Sequence, residues 1–128
     1  MTLGKRLVNL IQKWAAELGI SDYKFDFHLL SDREMSGDYA KVDTDDVTRE
    51  VEIDFNKHRL TREPQEIERT VVHELLHVRF NEYSELMNDL IHTYVLSPKT
   101  RKLLKKQAEK LEHKIVVAIT DSLSKEKA

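Results

Sequence analysis

Apolar residues at the start of the chain recur at spacings of three and four: Leu3, Leu7, Leu10, Ile11, Trp14 and Leu18. This period predicts a helix over residues 3–18, with Gly19 as its natural stop. From residue 23 the period drops to two. Tyr23, Phe25, Phe27 and Leu29 alternate with Lys24, Asp26 and His28, the pattern of a half-buried strand over 23–29. A second strand is expected over Tyr39–Val42. The cluster Asp43-Thr44-Asp45-Asp46 then carries turn chemistry. In a third strand Val51, Ile53 and Phe55 alternate with Glu52, Asp54 and Asn56. Three short strands in this order predict a small antiparallel meander.

Beyond Pro64 the helical period returns. Ile67, Val71, Leu75 and Val78 mark one face of a helix, and Pro64 suits its first turn. Residues 82–96 also read as helical. Ser97-Pro98 gives an N-cap followed by proline at the first helical position, opening a long helix to about residue 123. No repeat or low-complexity linker interrupts the pattern. The fold class is therefore α+β in a single domain over 1–128: an N-terminal helix, a small antiparallel sheet, then a helix followed by a long C-terminal helix.

Composition narrows the function classes. A chain of 128 residues with 40% hydrophobic and 34% charged positions suits one folded domain. Its net charge of −2 provides no basic excess for an electrostatic nucleic-acid interface. The basic stretch Lys99–Lys114 has the spacing of a solvated helix face. There are no cysteines, so disulfides and thiolate metal sites are both excluded. Any metal must be held by His, Asp or Glu. The N-terminus lacks the apolar core and cleavage site of a signal peptide, and no run approaches a membrane span. The expectation is a product made in the cytoplasm, with no nucleic-acid or membrane partner.

Candidate chemistry sits at His73-Glu74-Leu75-Leu76-His77. Two histidines four residues apart on a helix differ by about 40° in direction and one turn in height, so both imidazoles can reach one metal ion. Glu74, rotated about 100° from His73, is placed to take a proton from an activated water. Zinc suits such a site, because it accepts imidazole and carboxylate and its catalytic sites keep one position open. A shuffled chain of this composition carries the pattern roughly 3% of the time, so context must decide. Here the apolar face of the helix lies at about 0–80° and the two histidines at about 240–280°. They share a side that is not the core side.

A third protein ligand is needed. On the 98–123 helix, Leu104, Ala108, Leu111, Ile115, Val116, Ile119 and Leu123 form a broad apolar face, and Glu112 lies inside it. A bare carboxylate there is costly to bury, and coordination would remove that cost. Glu112 is the leading candidate. His92 and His113 are its rivals. Tyr83, His92 and Tyr94 are candidates to stabilise an oxyanion, with nothing in their spacing to choose among them. His28 and His58 fall in or near strands as structural or exposed residues.

The HExxH motif, the preceding small sheet and the later run from Glu112 through Ile115-Val116 to Ile119 resemble the minigluzincins. These are compact single-domain zinc peptidases of the gluzincin group of zincins, with similar proteins in phages and prophages. The resemblance covers most of residues 20–123 in element order. The longer metzincin pattern is absent, since Val78-Arg79-Phe80-Asn81 follows His77. The resemblance implies a zinc endopeptidase in which His73, His77 and Glu112 hold Zn2+. It implies that Glu74 is the general base and then the proton donor to the leaving amine. The substrate would be an extended peptide added to the edge strand of the sheet. A second reading is an inactive or latent zincin-like module acting through protein contact. A third is a zinc hydrolase on a non-peptide substrate. The polar tail Ser122–Ala128 is a candidate segment for keeping such an enzyme latent.

Overall fold

In the computed structural model, residues 1–126 are described, with side chains as far as Leu123. The architecture is α+β. The chain divides into two compact units, one over Met1–Arg79 and one beginning at Phe80.

In the first unit, helix α1 spans Leu3–Glu17, capped by the Thr2 side chain and ended at Gly19, whose φ of 71° glycine adopts without strain. Of the expected stripe, Leu7, Ile11 and Trp14 are buried and Leu3, Leu10 and Leu18 half-buried, and Ala15 joins the buried side. Three strands follow: β1 (Lys24–Leu30), β2 (Ala40–Asp45) and β3 (Glu50–Asn56). The sheet order is β1-β3-β2. β1 pairs with β3 in parallel, with Phe27 opposite Ile53. β2 pairs with β3 antiparallel, with Val42 also opposite Ile53.

The sheet is thus mixed, not the antiparallel meander expected, and the reason lies in the two connections. Residues 31–39 are too long for a tight hairpin and are organised by their own capping box. Glu34 N–H donates to Ser31 Oγ (3.2 Å), and Ser31 N–H donates to Glu34 Oε1 (3.2 Å). Met35, 1% exposed, anchors this loop in the core. The space beside β1 is filled by β3, whose Val51, Ile53 and Phe55 are the most deeply buried apolar strand residues. The most deeply buried strand takes the position paired on both sides.

The turn also lies later than expected. Asp43, Thr44 and Asp45 belong to β2, and Asp45 Oδ1 accepts from the N–H groups of Val47 (3.0 Å) and Thr48 (3.2 Å). The reversal closes on Arg49, a non-glycine residue at φ 58°. Its guanidinium pairs with Asp22 and lies 4.1 Å from the Tyr23 ring centroid, contacts that offset the left-handed backbone.

β3 runs directly into a short helix, α2 (Lys57–Arg62), and Pro64–Glu66 form a 3-10 turn before α3 (Ile67–Tyr94). Asn56 joins these parts. It is fully buried, its Oδ1 accepts from Arg59 N–H (3.0 Å), and its Nδ2 donates to Asp32 Oδ1 (2.8 Å) and to the Asp38 carbonyl (3.0 Å). Over residues 67–78, α3 is buried on most of its circumference, at Ile67, Thr70, Val71, Val72, Glu74, Leu75, Leu76 and Val78. Trp14 Nε1 donates to Glu68 Oε2 (3.0 Å), tying α1 to the first turn of α3. The opposite face of the sheet, with Lys24, Asp26, His28, Glu50 and Glu52, is exposed.

The second unit holds the remainder of α3 and α4 (Pro98–Glu126). Residues 82–94 continue α3 without a break. Ser97 Oγ accepts from Thr100 N–H (3.3 Å), the expected N-cap. On α4 the less exposed positions include Leu104, Ala108, Glu112, Val116 and Thr120, a ridge at spacings of four, whereas Leu111 (58% exposed) and Ile115 (41%) point to solvent. Thr120 is buried with its hydroxyl donating to the Val116 carbonyl (2.7 Å). The proposed latency segment lies outside the described residues at its end, 127–128, and its side chains are described only to Leu123. Among the described residues, no helix is long and apolar enough to cross a membrane.

Candidate functional site

The open part of α3 within the first unit is a narrow stripe. Arg69, His73 and His77, at spacings of four, are half-buried, and the residues from Thr70 to Val78 other than the two histidines are buried. Helical geometry brings the two histidines together. His73 Nε2 and His77 Nε2 lie 3.3 Å apart, with ring centroids at 4.9 Å and planes inclined at 71°. Two bonds of about 2.0–2.1 Å meeting at a tetrahedral angle place their nitrogens about 3.3 Å apart, so this spacing fits a zinc ion without rearrangement. The same spacing fits a single proton shared between neutral imidazoles. The donor chemistry, two imidazoles and no thiolate, suits a borderline divalent metal.

Glu74 differs from both. It is 8% exposed. Burial, aided by the negative charge of Asp38, pushes its carboxyl from its ordinary value of 4.5 up to about 7. Every fully sealed side-chain nitrogen or oxygen among the described residues has a hydrogen-bond partner. The Glu74 carboxyl has no such partner, so its oxygens reach solvent. A carboxyl that titrates near neutrality and touches water is suited to moving a proton in either direction. Asp38, whose charge contributes here, sits on the loop that Asn56 holds and is itself exposed.

Glu112 lies in the second unit, half-buried on the α4 ridge, and its Oε2 accepts a short hydrogen bond from Ser84 Oγ. Its burial is thus matched by a polar partner. The rivals His92 and His113 are exposed, as are Tyr83 and Tyr94. His28 lies on the open face of the sheet, and His58 sits on α2 with its Nε2 3.3 Å from Arg62 Nη1. The residues that sequence reasoning missed are Asn56 and Asp38. Asn56 reads in the pattern only as the polar end of a strand, and its role depends on a loop distant in sequence.

Comparison of the chain with protein-family models, with curated proteins and with solved structures gives no match.

Proposed function

We propose that this chain is a zinc-dependent endopeptidase. One observation carries the reading: two imidazole nitrogens at ligand spacing, with a buried carboxyl between them in sequence that titrates near pH 7. His73 and His77 would hold the ion. Glu112 is the third ligand by resemblance, and binding would exchange its hydrogen bond from Ser84 for the metal. Zinc, when bound, acts as a Lewis acid that polarises a carbonyl and makes water easier to deprotonate.

The remaining steps belong to the protein's own groups. Glu74 accepts the proton of the attacking water and passes it to the leaving amine, acting first as general base and then as general acid. Strand β2 is an edge of the sheet. Asn56 N–H donates to the Tyr39 carbonyl (2.8 Å), and antiparallel alternation then turns the main-chain groups of Ala40, Val42 and Thr44 away from β3. These are the groups an extended peptide would pair with.

The test is a proteolysis screen of zinc-loaded protein against Glu74→Gln. Cleavage by the parent and none by the variant is expected. Equal zinc binding by both, with no cleavage by either across a broad peptide library, would leave the alternative: a latent or inactive zincin-like module working by protein contact.

A further inference from the structure

Two adjoining cavities of about 560 and 650 Å3 share Asp32, His58 and Arg62 and open between the 31–39 loop and α2. Their charged lining is uneven. Asp32 is engaged by Asn56 Nδ2, and Glu63 accepts from Tyr39 Oη (2.8 Å) and pairs with Arg59 (3.4 Å). Arg59 is further tied to the Gly37 carbonyl and lies 3.9 Å from the Tyr39 ring centroid. Arg33, Lys57 and Arg62 are exposed and make no ion pair among the described residues. Four cations against two carboxylates leave the groove at +2, in a chain of net charge −2. An excess of one sign of charge lining a groove raises the local concentration of an oppositely charged ligand.

The groove also has a defined place along the sheet. Gly37 lines it, and β2 begins three residues later at Ala40. A peptide added antiparallel to β2 runs in the opposite direction, so its C-terminal end reaches Ala40 and continues toward Gly37. We propose that this cationic groove is a subsite for carboxylates at the C-terminal end of the peptide strand, contacted by Arg33, Lys57 and Arg62. The substrate class is then a peptide with acidic residues, or a free terminal carboxylate, on that side. The placement of the strand rests on the peptidase reading, whereas the charge preference does not require turnover.

The experiment uses the full chain carrying Glu74→Gln and reads fluorescence anisotropy of a short labelled peptide with glutamates in its C-terminal half. The same peptide with glutamines, and an amidated form of each, complete the set. Two or three exposed charge pairs correspond to about ten-fold in affinity. The acidic peptide should therefore bind about ten-fold tighter than the neutral amidated one, and salt should erode the difference. Loss on Glu→Gln replacement assigns the ligand to side chains, and loss on amidation assigns it to the terminus. Loss on neither overturns the proposal. Lys57→Ala/Arg62→Ala should remove the preference, and Lys57→Glu/Arg62→Glu should reverse it. Both are surface changes whose folding circular dichroism checks. A preference that survives in both variants also overturns it. A chain that shows the preference through these residues but cleaves nothing would refute only the peptidase reading. A peptidase that binds acidic and neutral peptides equally would refute only this one.

Discussion

Replacing Asn56 tests whether the loop beside the candidate site is held as described. The side chain is fully buried and makes three hydrogen bonds: two donated by Nδ2, to the Asp32 carboxylate and the Asp38 carbonyl, and one accepted from Arg59 N–H at the start of α2. Asn56→Ala removes all three. A neutral bond contributes about 1 kcal/mol, one to a charged group about 1.5–3 kcal/mol, and loss of a helix cap about 1 kcal/mol. The expected destabilisation is about 3.5–5 kcal/mol, a large share of the roughly 5–15 kcal/mol typical of a domain. Equilibrium urea unfolding at constant m-value measures it. Asn56→Asp sharpens the test. It keeps the acceptor for Arg59 N–H but turns the donor toward Asp32 into an oxygen, so two carboxylates face each other. Its loss at neutral pH should equal or exceed that of alanine and should shrink in acid, as one carboxyl takes up a proton. A loss under about 1 kcal/mol for Asn56→Ala, or an Asn56→Asp protein as stable as the parent at pH 7, would refute the reasoning.

In metal-free protein, Glu74 should make stability fall as pH rises. Its folded pKa of about 7 lies above its ordinary 4.5, so between those values the folded state holds the proton more tightly and loses that advantage on ionisation. The whole effect is about 3 kcal/mol, and urea unfolding with a chelator at about pH 5 and pH 8 should show it in the parent but not in Glu74→Gln; parallel pH profiles would contradict it. Zinc should raise the Tm of the parent, by the equivalent of about 2.7 kcal/mol at 100 times Kd, and leave His73→Ala or His77→Ala unmoved. Glu112→Gln should weaken zinc at least about ten-fold in competition with a chromogenic chelator; an unchanged affinity removes Glu112 from the ligand set and turns the test to His113→Ala and His92→Ala.

What could be read from the chain separates by range. The paired imidazoles were legible because their relation is local: four residues on a helix with strong period fix both height and direction. The strands were legible one by one from their alternation. Their order was not, because pairing β3 between β1 and β2 depends on the capped 31–39 loop, and the turn depends on Arg49 holding a backbone conformation usually left to glycine. α2 escaped notice because it buries only Leu60, and its cap, Asn56, doubles as the last residue of a strand.

Glu112 shows where pattern and structure part in a way that changes the argument. Hydrophobicity placed it within a face that included Leu111 and Ile115, both of which are exposed. It sits instead on the ridge through Ala108 and Val116. The residue is therefore on the less exposed side for a different reason than supposed. Its burial also no longer selects a metal. Ser84 supplies a donor to the carboxylate, and a half-buried carboxylate with a hydroxyl partner carries little desolvation cost. The case for Glu112 as a ligand now stands on resemblance and on carboxylate chemistry alone. The two histidines stand on geometry. Metal affinity measured in Glu112→Gln beside His73→Ala therefore weighs two different kinds of argument, and the site can keep its first two ligands even if its third is another residue.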